Sequence, residues 1–161
     1  MPADRKGEGL ILPMSVADNV GLAILKRLGF MGFLRKRRRN VVAFDMVRTL
    51  AAKVSSLSQI VSQLSGGNQQ KIVIGKWIAQ GGNVIIAEDP TRGVDVGAKF
   101  EIWRAIQGLA ESGKAVILIT TELQELMDAC DRIVVMSRGR VTGRFRREEF
   151  SAEAIAHCFV A

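Results

Sequence analysis

From Gly66 to Phe145, apolar segments of helical period and of strand length take turns, and this alternation constrains the fold more than any other property of the chain. Ile74, Trp77 and Ile78 recur at helical spacing behind Ser65, predicting a helix over 66–80. The short apolar run from Asn83 to Ala87 lies between a Gly-Gly pair and an Asp-Pro turn and reads as a strand. The pattern continues with a helix over 97–111, a strand over 115–120 and a helix over 122–129. Strands over 132–136 and 140–145 then flank a Ser137-Arg138-Gly139 turn, and a last helix starts at Ser151. Alternation of this kind belongs to α/β folds built on a parallel sheet. Before Ser65 the chain predicts helices alone. One runs from Met14 to Leu28, opened by Ser15 with Asp18 three residues on and closed by Gly29. A second carries Val42, Met46 and Leu50 at spacing four, and a stretch rich in Ser and Gln over 54–63 connects onward.

Within this frame the octapeptide Leu64 to Lys71, LSGGNQQK, has the chemistry of a phosphate-recognition device. Ser65 is a good N-cap, so Gly66 and Gly67 fall in the first turn of the helix, where backbone N–H groups lack carbonyl partners. The absence of Cβ atoms opens the main chain to a ligand oxygen, and the helix dipole favours an anion there. An ordinary capped helix with a flexible glycine pair is the alternative. A second constellation is Glu88-Asp89-Pro90, two carboxylates at the C-terminal end of an expected buried parallel strand, where α/β sheets place their ligands. Asp95 is positioned to cap the helix that follows.

These residues resemble the ABC transporter ATPases, in particular the importers of the ribose, galactose and xylose type. LSGGNQQK is similar to that branch's signature motif. DPTRGVD (Asp89 to Asp95) resembles the end of Walker B and the D-loop, and PADRKGEGL (Pro2 to Leu10) the Q-loop region, with Ala3 in place of a Glu usual in the branch. The resemblance covers essentially the whole chain. It implies a partial ABC-type P-loop NTPase domain: residues 1–63 are the Q-loop region and helical subdomain, and 64–161 the signature helix, Walker B, D-loop, switch region and C-terminal core. It also implies ATP and Mg²⁺ as cofactors. Ser65, Gly66, Gly67, Gln69 and Asp95 would then serve a nucleotide, Glu88 the metal, and Asp89 and Thr121 the hydrolytic step.

Besides Ala3, two features depart from the family pattern. The family has Asp then Glu where this chain has Glu88 then Asp89, which lengthens the metal-side arm and shortens the base by one methylene each. Thr121 stands where the family has its switch histidine, a substitution the branch shows in its second nucleotide-binding domain.

No Walker A loop is present. Gly108 to Ala115, GLAESGKA, imitates GxxxxGK[ST] until its last residue, but Ala115 has no hydroxyl for Mg²⁺. Here a helix runs in and a strand runs out, the reverse of a P-loop, so Gly113 reads as a helix C-cap. The expectation is therefore a nucleotide-binding fragment that completes its site with a second domain carrying Walker A and works with transmembrane permease subunits fed by a sugar-binding protein. By itself it would hydrolyse ATP poorly or not at all. A non-catalytic docking module is the alternative.

Composition is compatible with this. A chain of 161 residues with 48% hydrophobic and 24% charged residues can bury a modest core. No apolar run approaches the roughly 20 residues needed to span a bilayer, and MPADRKGEG has no secretion-signal character, so a cytosolic location is expected, and the resemblance implies a peripheral place on the inner face of the plasma membrane. Cys130 and Cys158 show no metal spacing and read as free, partly buried thiols, and His157 reads as a surface or packing residue. The net charge of +7 comes largely from five consecutive cations, Arg35 to Arg39. Such a run can bind nucleic acid or an anionic membrane, or simply stay in water. With only Phe30 and Phe33 nearby it has little base-reading chemistry, so no specific nucleic-acid partner is expected.

Overall fold

The computed structural model describes residues 1–30 and 33–160. They form two compact units, Met1–Ile117 and Leu118–Ala161. The boundary expected after Gln63 runs through the packed first unit.

The first unit opens with a π-helical turn, Arg5–Gly9, whose N-cap is Asp4. The Asp4 carboxylate accepts the N–H groups of Lys6 and Gly7 at 3.0 Å each, and these bonds, with Gly7's the larger influence, hold it below the usual carboxylate range. The helical layer follows: α1 (Val16–Leu22), α2 (Leu25–Leu28) and α3 (Lys36–Thr49), then α4 (Gly66–Gln80). The Ser15 hydroxyl accepts the N–H of Asp18 at 3.1 Å, which confirms the expected start. The single helix expected over 14–28 is interrupted, however. Ile24 N–H bonds to the Gly21 carbonyl three residues back, tightening the chain into a turn that buries both Ile24 and Leu28. Between α2 and α3, β1 (Gly29–Phe30) and β2 (Phe33–Leu34) pair antiparallel, a hairpin too short to register as a strand period. Val16, Val20, Ala43, Val61, Ile72 and Val73 form the core of this layer.

A second cluster joins α4 to α5 (Val96–Glu111), with Ile74, Ile102 and Ile106 at its centre. Here β3 (Val84–Glu88) is the hydrogen-bonded neighbour of β4 (Ala115–Ile119), with α5 connecting them. The expected fully buried strand is half right. Ile85 and Ala87 are buried, while Val84 and Ile86 are 57% and 50% exposed, because only one face of this ribbon is covered.

The second unit holds α6 (Leu123–Ala129), β5 (Arg132–Ser137), β6 (Arg140–Arg146) and α7 (Ala152–Val160). The strands β5 and β6 form an antiparallel hairpin with an irregularity between Val135 and Met136, and Arg138 and Gly139 take positive φ in its turn. Ile133, Val135 and Ile155 are its buried centre. Cys130 and Cys158 are free and partly buried, as expected. Among the described residues no helix is long and apolar enough to cross a membrane.

Candidate functional site

Ser65 caps α4 as its sequence predicts, accepting the N–H of Asn68 at 3.5 Å and the Asn68 side-chain Nδ2 at 3.0 Å. The Asn68 Oδ1 in turn accepts the N–H of Lys53 at 2.7 Å, so the capping group is held from both sides. Ser65 itself is exposed. The N–H groups of Gly66 and Gly67, first in the helix, have no intrahelical carbonyl to reach.

The two glycines are there for different reasons. Gly67 is buried, and a Cβ on it would lie 2.5 Å from the Ala98 Cβ, so its bareness lets α4 and α5 approach one another. Gly66 faces the Arg5 guanidinium and the Gly93 carbonyl, which a Cβ would meet at 3.0 and 3.4 Å. Arg5 donates to the carbonyls of Arg92 and Gly93 at 2.8 and 3.1 Å. One guanidinium thus ties the π-helical turn to the loop after β3, directly above the first residue of α4. Sequence reasoning missed Arg5, because a lone arginine beside a glycine pair 60 positions away carries no local signal. Lys76 adds a second tie by donating to the Gly9 carbonyl at 3.0 Å, and burial pushes its ammonium below the ordinary range.

Asp95 caps α5, its Oδ1 accepting the Ala98 N–H at 2.9 Å, and its other carboxylate oxygen lies 3.9 Å from the Cβ position of Gly67. Ser65, Gly66, Asp95 and Arg5 therefore lie together on the first unit, with Gly67 buried beneath them. Asp89 closes the same loop. It takes φ +40, unusual for a residue with a side chain, while its carbonyl accepts the Arg92 N–H at 3.0 Å. Glu88 ends β3 and is exposed. Among the described residues no three His, Cys, Asp or Glu side chains converge as a metal cage. Thr121 belongs to the second unit and is exposed, just ahead of α6.

Gln69, expected to contact the nucleotide, is turned into the protein. It is 5% exposed, and its Nε2 donates to the carbonyls of Val61 and Leu64 at 3.1 and 3.2 Å. Lys71, the last residue of the octapeptide, is equally committed to the interior, donating to the Ala51 carbonyl at 2.9 Å and to Glu101 at 2.7 Å. Of SGGNQQK, Ser65 and Gly66 thus lie at the surface, while Gly67, Gln69, Gln70 and Lys71 are buried. The imitation P-loop resolves as expected. Gly108 lies inside α5, Gly113 takes φ +87 after the helix end, and Lys114 donates to the Gly82 carbonyl at 2.9 Å before β4 begins.

No protein-family model matches the chain. It is 44% identical over 155 residues to the ribose import ATP-binding protein RbsA 2 of Rubrobacter xylanophilus, covering 96% of this chain and 30% of that protein. It is 43% identical over 155 residues to the xylose import ATP-binding protein XylG of Geobacillus kaustophilus, covering 96% and 31%. The match to RbsA of Corynebacterium glutamicum is 46% over 143 residues, covering 89% and 27%. Among solved structures, the dimeric post-hydrolysis state of the ATP-binding cassette MJ0796, bound to ADP and Pi, superposes with a TM-score of 0.72 at 24% identity, covering 88% of this chain and 60% of that one. This chain spans about a third of the length of its curated relatives. Over nearly its whole length the chain is thus similar to ATP-binding proteins of ribose and xylose import, and its fold is that of part of an ABC cassette.

Proposed function

We propose that the chain supplies one lip of a composite ATP site in a sugar-import transporter, closing over a nucleotide held mainly by a second domain with a Walker A loop. The observation that carries this reading is the single surface formed by Ser65, the N-terminal N–H groups of α4, and the Arg5-braced loop that ends at Asp95. ATP bound there supplies the γ-phosphoryl group whose transfer to water drives such a cycle. Ser65 is an acceptor in both of its contacts, leaving its O–H proton for a phosphate oxygen, and the Gly66 N–H is a second donor beside it. Gln69 positions this turn from beneath. Asp89 is assigned to orient the attacking water, with an arm one methylene shorter than the family's glutamate, and Thr121 to a phosphate oxygen. Asp95 places groups of the opposite site. The permease subunits and the sugar-binding protein are the remaining partners, at the inner face of the membrane. Glu88 is assigned to Mg²⁺, which its exposed carboxylate at the end of β3 would hold together with the nucleotide's phosphates.

The test is to mix the chain with a separate nucleotide-binding domain that carries Walker A and measure ATP turnover. The expectation is negligible turnover by either part alone and a rise on mixing. Ser65→Asp keeps a good N-cap while placing a carboxylate against the γ-phosphate, so stability is retained and the stimulated rate falls by about a hundredfold or more. Turnover of about 10 per second by the isolated chain overturns the proposal. Complex formation without any rise in rate favours instead a non-catalytic docking role, to which the Glu88-Asp89 order already points.

A further inference from the structure

The run Arg35 to Arg39 opens α3. Arg35 is the N-cap residue and the other four fill the first turn, where the helix already presents the positive end of its dipole. The run is not uniform. Arg39 pairs with Asp18, and its stem lies 2.9 Å from the Cβ position of Gly21, so it belongs to the interior. Lys36, Arg37 and Arg38 are exposed, and with Arg35 and Val41 they line an open concavity of about 580 Å³. The only carboxylate on α3 is Asp45, more than a turn beyond Arg39 though three residues before Arg48.

Apolar side chains accompany these cations. Phe33 is 79% exposed immediately before the run, and Val41 and Phe44 are 56% and 55% exposed. Arg37, Val41, Phe44 and Arg48 follow one another at spacings of four, three and four, so they share a stripe of α3, and Ala43 and Leu50 are buried. A cation–apolar–apolar–cation stripe on a helix that follows an exposed phenylalanine suits neither plain solvent nor a nucleic-acid groove, which would ask for polar base readers. It suits an interface that offers anionic phosphates at one depth and hydrocarbon just below.

We infer that the α3 face bearing Arg37, Val41 and Phe44 docks on an anionic lipid surface, with Lys36, Arg37 and Arg38 on the headgroup phosphates and Phe44, together with Phe33 of the preceding hairpin, in the acyl boundary. This requires no nucleotide and does not rest on the ATP site.

The experiment is co-sedimentation of the full chain, free of nucleotide, with vesicles of phosphatidylcholine alone or containing about one third phosphatidylglycerol. Binding is expected to the anionic vesicles only, and to weaken in high salt. Arg37→Gln with Arg38→Gln is expected to weaken partition about 25-fold, as each cation near such a surface contributes about fivefold. Phe33 lies in an exposed hairpin, so Phe33→Ser tests the apolar part with little risk to the core, and about a tenfold loss is expected. Phe33→Trp adds an emission signal that shifts to the blue on anionic vesicles, read against wild-type chain, whose own tryptophans are Trp77 and Trp103. Equal binding to both vesicle types, no shift with Phe33→Trp, or binding to single-stranded RNA in preference to anionic vesicles overturns the inference.

Discussion

Gly67 carries no side chain because Ala98 leaves no room for one. Gly67→Ala places a methyl group where backbone or α5 must yield, and a loss of about 1–3 kcal/mol is expected, measured as a lower denaturant midpoint at unchanged slope. Ala98→Gly in the same chain should recover part of that loss by restoring the space, at the cost of a glycine in α5. Arg5 is a different kind of residue. Its two forked donors meet two successive carbonyls, which a lysine cannot reproduce. Arg5→Lys is therefore expected to leave the fold intact and to speed amide hydrogen exchange over residues 92–95, while exchange within α1 stays as it was. Unchanged exchange at 92–95 would show that the clamp does not hold the loop.

Among the helices, α4 is the one to which both the site and the interior lay claim. Its first turn faces outward at Ser65, while Gln69, Gln70 and Lys71 are buried. Lys71 is 2% exposed and is neutralised by Glu101 on α5, whose carboxyl is held below its ordinary range by the hydrogen bond from Lys71 and by its charge. The direction fixes the pH dependence. A depressed carboxyl contributes stability that is complete above the unfolded pKa of about 4.3 and is lost as pH falls through the folded value. Glu101→Gln is expected to cost about 1–3 kcal/mol at pH 7, toward the lower end because Glu101 is half exposed, and clearly less near pH 3. Thermal unfolding of both chains across pH 3–7 checks this, and a cost independent of pH would place the effect in packing instead of charge. In α3 the electrostatics run the other way, with cations at the end of the helix where they are least welcome. Packing of Ala43 and Leu50 and the Arg39–Asp18 pair hold it in place.

At the scale of the whole chain, both units leave apolar strand faces open. In the first, Val84, Ile86 and Ile117 are about half exposed. In the second, Val134 and Met136 are 56% and 61% exposed, while Ile133 and Val135 on the opposite face are buried. A two-stranded ribbon has two edges and two faces, and a helix layer covers only one face. The chain is accordingly expected to self-associate or bind a hydrophobic dye at micromolar concentration. Light scattering after size exclusion checks this, and replacing Val84 and Ile86 with Thr should reduce the association while preserving β3. A monodisperse monomer that binds no dye would show that these faces are covered in solution.

Local chemistry is what a sequence displays directly, and here it announced most helices, the caps at Ser15, Ser65 and Asp95, the turn at Gly139 and the false P-loop at Gly113. Each of these depends on residues a few positions apart: a hydroxyl or carboxylate against nearby N–H groups, a glycine that accepts positive φ, an apolar period. The pairing of Arg5 with Arg92 and Gly93, the fit of Gly67 on Ala98 and the burial of Gln69 and Lys71 depend on partners brought together from distant parts of the chain. The octapeptide looked uniform because the residue types that bind phosphate also bind carbonyls and carboxylates. Which of them turn outward was decided by the packing of α4 against α5 and the segment over 61–64, where burial left Gln69 and Lys71 no water and gave them backbone and Glu101 instead.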